Sequence, residues 1–343
     1  MNAVSGDNDL SGESPLRVGI VGAGWIAGSH AAVLSARDDV TIAAVCDTDT
    51  ARAAALAGPS GAAVFGDWSA MLDATGLDAV WVCTPPRAHA GPAIAAANRG
   101  LAVYLEKPVA RTLDDAAAIV AATERNQTVC AVGYQWHATE VLDSLRAAMD
   151  GHPIGLLAAH SIGGTQSRPW FLDRAAGGGN LLERGSHHID LARAIAGEVV
   201  AVQAAAGTVR MAPRPGGDEG DIDDTVTLLL DFASGATGTI VIAWTADSVP
   251  GRYGLLVVAA DALVSLDLAG NGSMSGTVGG QAVSAEGQEV PFERSVDRFL
   301  AAVRAGEPGQ VFCTPADAMR TLAVATAAER ALLEGRRVPV AAR

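Results

Sequence analysis

The sequence has few cysteines and little positive charge, and it has no long apolar run. Its four cysteines include no C-x-x-C pair, so neither a disulfide framework nor a zinc knuckle is expected. Lys and Arg number 24 against 38 Asp and Glu, and the resulting net charge of −14 opposes binding to a phosphate backbone. No apolar run reaches the ~18 residues of a membrane span, and residues 1–14 are polar without a signal-peptide pattern. We therefore expect a cytoplasmic protein that binds neither nucleic acid nor a membrane, with a disordered segment over 1–14.

Apolar and small residues dominate the composition. Apolar residues make up 49% of the 343, and 39 residues are glycine, which together with the length indicates two packed domains. Up to residue 134, short apolar strands alternate with helical segments. The predicted strands are 17–21, 41–46, 79–83, 101–105 and 128–134, and the predicted helices are 27–36, 50–56, 88–98 and 114–124. Right-handed crossovers place such helices on the faces of one sheet, so a doubly wound parallel sheet is predicted.

The pattern changes after about residue 150. The β-rich stretches are 156–162, 199–209, 225–232, 236–244 and 255–268, with a hairpin turn predicted at 231–236 and loops at 211–221 and 271–280. Helical periodicity returns over 295–305 and 315–333. We therefore predict an α/β protein with two domains, a Rossmann cofactor domain over 15–135 and an α/β domain with a mostly antiparallel open sheet over 136–343. The last helix is expected to pack back toward the first domain.

A dinucleotide-binding motif directly follows the first strand. Gly22, Gly24 and Ala27 form G-x-G-x-x-A at the opening of a helix, with Trp25 and Ile26 between them. The first glycine permits a tight turn, the second lets a pyrophosphate approach the backbone, and Ala27 keeps the helix close to the strand. These residues are predicted to bind the cofactor.

The acid that closes the second strand indicates which dinucleotide binds. Asp47 stands about 25 residues after the first glycine, near the spacing at which an acid binds the adenosine ribose hydroxyls. Asp49 would repel a 2′-phosphate, although Arg52 leaves a minor route to it, so NAD is favoured over NADP. The alternative for Asp47 is a helix N-cap.

Three later motifs carry a family resemblance. They are Cys83-Thr84-Pro85-Pro86 with His89, then Glu106-Lys107-Pro108, and then the glycine-rich run 177–191. At these residues, and over nearly the whole chain, the sequence resembles the glucose-fructose oxidoreductase, inositol dehydrogenase and rhizopine catabolism (Gfo/Idh/MocA) family. The resemblance implies a Rossmann domain followed by an α/β domain whose open sheet covers the active site and commonly makes subunit contacts.

The same resemblance implies the activity and several site residues. Family dehydrogenases move a hydride between a sugar or cyclitol carbon and nicotinamide. The family lysine falls on Lys107, and its acid and histidine fall on Glu183 and His187. By family position the cofactor also meets Thr84, Pro85, His89, Glu106 and Lys107, while the alternative for His89 is a helix surface.

The catalytic residue types suit this chemistry. On a helix, Glu183 and His187 are spaced i and i+4 and share one face. We assign His187 as general base and Lys107 as donor to the developing alkoxide, with Glu183 orienting the imidazole or binding a neighbouring hydroxyl. The family acid is usually Asp, so the longer Glu183 could turn toward Lys107 or Arg184. A surface charged pair with Arg184 is the alternative.

Candidate substrate-binding residues cluster near the domain junction. For Trp136 and Trp170 the alternative is packing in the core. A loop over 168–174, with glycines 177–179 as hinges, could cap the pocket. His187 and Asp190 find no third ligand at convincing spacing, so no metal is expected. The predicted substrate-binding residues are Tyr134, Trp136, His137, Trp170 and His188.

The favoured function is an NAD-dependent dehydrogenase of a polyol, sugar or sugar derivative, acting as a homodimer or homotetramer. Two alternatives remain open. One is a glycosidase that holds its NAD tightly and oxidises the sugar transiently, and the other is a non-catalytic NAD-binding regulator.

Overall fold

The computed structural model of the chain describes residues 14–74, 76–164, 169–209 and 222–341, with the side chain of residue 169 excepted. The segment predicted to be disordered lies outside the described residues apart from Ser14, and so do the predicted loop 211–221 and Arg168. The chain forms two compact units, one ending at Cys83 and one beginning at Thr84.

The first unit is built on four parallel strands in the order β3-β2-β1-β4. The strands are β1 (Leu16–Val21), β2 (Val40–Cys46), β3 (Ala63–Phe65) and β4 (Ala79–Val82), and the helices are α1 (Trp25–Ser35), α2 (Thr50–Ala57) and α3 (Trp68–Ala74). Val18 and Ile20 of the inner strand β1 have no exposed surface, as expected for a strand covered on both faces. The sequence patterns missed β3 and α3, because β3 is three residues long with Ala63 and Val64 exposed.

The second unit continues the same alternation. It contains β5 (Ala102–Leu105), β6 (Cys130–Val132), α4 (Ala90–Asn98), α5 (Leu113–Arg125) and α6 (Glu140–Ala148). β5 and β6 pair in parallel. The Thr112 side chain caps α5 by accepting a hydrogen bond from Asp115 N at 3.1 Å. The predicted doubly wound parallel sheet is confirmed.

A nine-stranded sheet dominates the rest of the second unit. Its order is β14-β13-β12-β11-β7-β10-β9-β8-β15. The strands are β7 (Ile154–Ile162), β8 (Val199–Gly207), β9 (Thr225–Phe232), β10 (Thr237–Ala243), β11 (Arg252–Ala259), β12 (Ala262–Asp267), β13 (Ser273–Val278), β14 (Gln281–Glu286) and β15 (Val338–Pro339). All pairings are antiparallel except β7 with β10. The predicted mostly antiparallel sheet is confirmed, and so is the β9–β10 hairpin, where Gly235 adopts a φ of +90°.

The prediction of a loop over 271–280 is wrong for most of its length, because residues 273–278 form strand β13. Serine and glycine weaken the strand signal of this segment. They fit here because β13 lies close to β12, and a Cβ built on Gly276 would collide with the Leu263 carbonyl oxygen. Met274 and Val278 supply the buried face.

Four further helices complete the second unit. They are α7 (Arg174–Gly177), α8 (Ser186–Ala196), α9 (Pro291–Ala305) and α10 (Pro315–Glu334). The last of them packs on α5 and β6, with Arg111 Nη2 3.1 Å from Glu329 Oε1 and Val132 N donating to Cys313 O at 2.9 Å. Among the helices of the described residues, none combines the length and apolarity that a bilayer crossing requires.

Candidate active site

The glycine-rich loop between β1 and α1 has room for a phosphate. Gly22 adopts a φ of +92°, which strongly favours glycine, and its N–H donates to Cys46 O at 2.8 Å. Gly24 caps α1, and a Cβ built there meets nothing within 4 Å. Trp25 is 67% exposed at the start of the helix, followed by half-buried Ile26 and buried Ala27. The open space at this helix N-terminus fits a dinucleotide pyrophosphate.

Asp47 faces this loop. Its Oδ2 accepts a hydrogen bond from Ala23 N at 2.7 Å, and its Oδ1 accepts from Arg52 Nη2 at 3.1 Å. The N-cap of α2 is Asp49, whose side chain accepts from Ala51 N and Arg52 N. The N-cap alternative for Asp47 is therefore wrong, and its carboxylate is held against the loop by the N–H of Ala23.

His89 braces the two loops that follow β4 and β5. Its ring is fully buried, with Nε2 2.8 Å from Thr84 O and Nδ1 2.9 Å from Pro108 O. Burial lowers the pKa of His89 although the neighbouring carbonyl groups oppose this shift. The helix-surface alternative for His89 is wrong. The Oγ1 of Thr84, beside half-buried Pro85, is buried without a hydrogen-bond partner among the described residues.

Lys107 and Glu183 form a tight ion pair. Lys107 Nζ donates to Glu183 Oε1 at 2.6 Å and to the Glu183 carbonyl oxygen at 2.9 Å. Lys107 is the only lysine of the chain, since all other cationic side chains are arginine. Its backbone N–H donates to Oε2 of Glu106 at 3.1 Å. The longer acid of this sequence has thus turned toward the lysine.

The ion pair is largely removed from water. The side chains of Lys107 and Glu183 are 11% and 14% exposed. Burial raises the pKa of Glu183, while the charge of Lys107 opposes this rise. The second carboxylate oxygen, Oε2, is buried and has no hydrogen-bond partner in the described part of the chain. An acceptor with unused capacity therefore lies beside the lysine.

The predicted α-helical i, i+4 arrangement of Glu183 and His187 is wrong in its local geometry. Glu183 lies in a π-helical turn, Leu181–Gly185, and His187 lies in the α-helix that follows. The backbone is packed closely here, because a Cβ on Gly185 would lie 2.8 Å from Ile242 Cδ1. π-Helical turns are rare and frequent at functional sites.

His187 lies within the electrostatic reach of Lys107. Burial, followed by the charges of Lys107 and Arg184, holds the pKa of His187 well below its usual range. Its Nδ1 is buried and lacks a hydrogen-bond partner among the residues that the structure describes. The ring contacts Tyr134 edge-on at 5.7 Å and Trp136 at 5.1 Å between centroids. A neutral imidazole with unused hydrogen-bonding capacity can accept a proton.

Trp136 forms a buried aromatic wall behind His187. It is 7% exposed and meets His188 edge-on at 4.7 Å, while the Tyr253 ring lies 6.2 Å away. His188 is 1% exposed, and burial lowers its pKa to about 3. The guanidinium of Arg184 lies 5.2 Å from the centroid of the Tyr253 ring. Sequence reasoning missed Tyr253, because a single tyrosine in a strand carries no signal.

Two of the predicted substrate-binding residues, His137 and Trp170, make contacts outside the group of Lys107, Glu183 and His187. His137 Nδ1 is 3.2 Å from Asp190 Oδ2. Burial opposes protonation of His137, but Asp190 raises its pKa above the usual value. Trp170 stacks on Phe171 with 4.0 Å between ring centroids. The run 177–179 is buried, and a Cβ on Gly177 would lie 2.6 Å from Trp170 O, so these glycines serve close packing.

Models of known protein domains match two stretches of the chain. The model described as "Oxidoreductase family, NAD-binding Rossmann fold" matches residues 16–134, and the model of the GFO/IDH/MocA C-terminal domain matches residues 144–256. The chain belongs to the Gfo/Idh/MocA family. The resemblance inferred from the motifs is confirmed, and so is an NAD-binding Rossmann domain.

Relatives of this chain include named dehydrogenases. The inositol 2-dehydrogenase of Rhizobium meliloti is 28% identical over 336 residues, 95% of this chain and 99% of that protein. The levoglucosan dehydrogenase of Pseudarthrobacter phenanthrenivorans is 31% identical over 202 residues, so the match spans about half of each chain, 51%. A solved levoglucosan dehydrogenase in complex with NADH and L-sorbose has a TM-score of 0.86 at 20% identity, covering 96% of this chain and 100% of that one. The last comparison shows a shared fold.

Proposed function

We propose that the protein is an NAD-dependent dehydrogenase that oxidises a secondary hydroxyl of a sugar, sugar derivative or cyclitol. The observation that carries this proposal is the buried group of Lys107, Glu183 and neutral His187. Two of its polar atoms, Glu183 Oε2 and His187 Nδ1, have no partner within the described residues. A polyol offers the adjacent hydroxyl groups that such atoms can bind, and the names of the relatives support the same substrate class.

The residues of the glycine-rich loop fit the cofactor. Gly22 and Gly24 would hold the pyrophosphate against the first N–H groups of α1, and Asp47 would accept hydrogen bonds from the adenosine ribose. A negatively charged Asp47 opposes a 2′-phosphate, so NAD is preferred over NADP. When bound, NAD supplies a nicotinamide ring that can accept a hydride.

The chain's own residues handle the proton and the charge. His187 takes the proton of the reacting hydroxyl, which its neutral state permits. Lys107 donates to the same oxygen and stabilises the negative charge that develops on it. Glu183 holds the ammonium group at 2.6 Å and uses its second oxygen for a neighbouring hydroxyl. Trp136 packs against the imidazole and fixes its orientation, and His188 supports the indole from behind.

The proposal also covers the domain boundary, the oligomeric state and the cellular location. The family models match on either side of residues 135–143, which supports a boundary near 135/136. A homodimer or homotetramer joined through the nine-stranded sheet is supported by Leu229, Val241 and Leu263, whose exposures are 50%, 39% and 52%. Four buried free thiols support a cytoplasmic location.

The test is NADH formation by the purified protein with NAD and a panel of sugars, cyclitols, sugar acids and glycosides. A rise in NADH with one polyol class supports the dehydrogenase. Glycoside cleavage without net NADH would instead identify the glycosidase, and NAD binding without turnover of the panel would favour the regulator.

A single lysine allows a second test. An amine-selective acylating reagent can modify only the chain terminus and Lys107. The inactive fraction of the protein should equal the fraction acylated at Lys107, as measured by mass spectrometry. Full activity of protein acylated at Lys107 would contradict the assignment.

A further inference from the structure

Four potential metal ligands meet away from the Lys107 group. They come from three segments, with His137 in the 3-10 turn Gln135–Ala138, Asp190 in α8, and Cys313 and Asp317 at the start of α10. One ligand atom of each lies within 4.8 Å of the corresponding atoms of the others. Since 123 residues separate Asp190 from Cys313, only the fold brings the four together.

The distances between ligand atoms suit a four-coordinate ion. His137 Nδ1 is 3.2 Å from Asp190 Oδ2 and 4.0 Å from Asp317 Oδ2, and Cys313 Sγ is 3.7 Å from Asp317 Oδ2. Tetrahedral zinc with bonds of ~2.0 to 2.3 Å separates its ligand atoms by about 3.3 to 3.8 Å. All four ligand atoms lie within 4.8 Å of one another, so shifts of up to about 1 Å would complete the tetrahedron.

Outer hydrogen bonds aim both carboxylates at this point. Asp190 Oδ1 accepts from Thr321 Oγ1 at 3.2 Å. Asp317 Oδ1 accepts from Arg193 Nη2 at 2.9 Å and from Arg320 Nη2 at 2.7 Å. In each carboxylate one oxygen is thus held by a donor, while the other faces His137. Metal sites use such outer partners to orient their ligands.

The charges nearby are negative overall when Cys313 is a thiolate. Glu198 joins the group by accepting from Arg193 at 2.8 Å and lying 3.1 Å from Arg320. Three carboxylates and one thiolate then face three guanidinium groups, those of Arg193, Arg320 and the cavity-lining Arg146, and this leaves a net negative charge for a cation.

An ion could enter from a cavity on one side. The cavity has a volume of about 250 Å³, and its walls include His137, Asp317, Thr314 and Phe312. An entry path is one of the requirements of a functional metal site.

We propose that His137, Asp190, Cys313 and Asp317 bind a divalent transition-metal ion, with zinc preferred, as a structural site. The nitrogen, sulfur and oxygen donors are those that zinc takes, and four protein ligands leave no open position for substrate. The ion would join the turn that carries Trp136 to helix α8, which carries His187, and to the start of α10. It would stabilise the second unit without taking part in hydride transfer.

The test uses the full chain, stripped with a chelator and titrated with Co²⁺. We expect one equivalent to bind with the visible bands of tetrahedral cobalt and a thiolate-to-cobalt charge-transfer band. Zn²⁺ should displace the cobalt and raise the Tm. Cys313→Ala should lose the charge-transfer band, whereas the matched variant Cys130→Ala, at another buried thiol, should keep it. His137→Gln should weaken Co²⁺ binding by at least about 100-fold.

A stripped wild-type protein that binds no Co²⁺, or binds it without a charge-transfer band, would overturn the proposal and leave the four residues as a hydrogen-bond network. An unchanged band in Cys313→Ala would do the same. Circular dichroism checks that each variant folds, and the wild-type titration decides even if a variant does not. None of these readouts depends on dehydrogenase activity.

Discussion

The nucleotide loop of the first unit and the catalytic group of the second differ in how their polar groups are satisfied. In the loop, backbone groups and one carboxylate are already paired, with Gly22 N bonded to Cys46 O and Asp47 bonded to Ala23 N at 2.7 Å. In the catalytic group, buried atoms of Glu183 and His187 have no partner in the described parts of the chain. The polar groups of the first region are therefore fixed before any ligand binds, whereas the second region keeps buried polar atoms that a bound hydroxyl group could satisfy.

Removing the side chain of Lys107 should have the largest effect on turnover. Lys107→Ala leaves the substrate oxygen without its charged donor, so kcat should fall by about 10³-fold, while the Kd for NAD stays unchanged. Stopped-flow NADH formation and calorimetric NAD titration measure the two quantities. A loss of NAD affinity with kcat retained would place Lys107 in cofactor binding alone.

Replacing Asp47, the acid that faces the nucleotide loop, should weaken cofactor binding instead of lowering kcat. Asp47→Ala should weaken NAD by about 10- to 100-fold, because hydrogen bonds from the ribose to a charged acceptor are lost, and should reduce the preference over NADP. Asp49→Ala is the matched control for NAD affinity, since it removes the N-cap of α2 and leaves the carboxylate of Asp47 in place. Calorimetric titration with NAD and with NADP gives the ratio of the two dissociation constants. Equal losses in the two variants would contradict the assigned role of Asp47.

Two substitutions at Glu183 should separate the effect of its negative charge on kcat from the effect of its length. Glu183→Gln keeps the shape but removes the negative charge beside Lys107, so kcat should fall by about 10- to 100-fold. Glu183→Asp restores the acid usual in the family and should stay within about tenfold of the wild type. Steady-state kinetics at saturating NAD compares them. A Glu183→Gln variant as active as the wild type would show that the ion pair is dispensable.

The smallest effect concerns stability. His188 has a pKa of about 3 in the folded chain against a usual 6.5, so between these values the unfolded chain binds the extra proton. Stability is therefore lost as the pH falls below 6.5, by about 1.4 kcal/mol per pH unit from this residue. In His188→Asn the slope of the free energy of unfolding between pH 6 and 5 should decrease by about this amount. Urea unfolding at each pH measures it, and an unchanged slope would contradict the burial argument.

Features that contiguous residues encode could be predicted from the sequence. The motif Gly22-x-Gly24 and the strand that ends before Asp47 are contiguous signals, and the structure places them as expected. The family resemblance also located Lys107, Glu183 and His187, but not their geometry. The π-helical turn at Glu183 ends at Gly185, which packs against Ile242 from a segment more than 50 residues further along the chain.

Other features could not be read from one sequence because they arise only from tertiary contacts. Strand β13 forms because small residues such as Gly276 suit a close neighbour, although their local propensity favours a turn. His137 and Cys313 likewise come together only in the folded chain, beside Asp190 of α8. One signal was readable and informative, namely that Lys107 is the only lysine among 24 cationic residues.

The role proposed for Lys107 is one that another positive charge cannot fill, because its ammonium group pairs with Glu183 and donates to the substrate oxygen. The most direct test is Lys107→Arg, with NAD binding and NADH formation measured on the same preparation. The guanidinium keeps the positive charge but is planar and broader than an ammonium group, so it cannot pair with Glu183 and the substrate oxygen in the same way. We predict unchanged NAD affinity and turnover lowered by at least about 100-fold. Wild-type turnover in this variant would contradict the account.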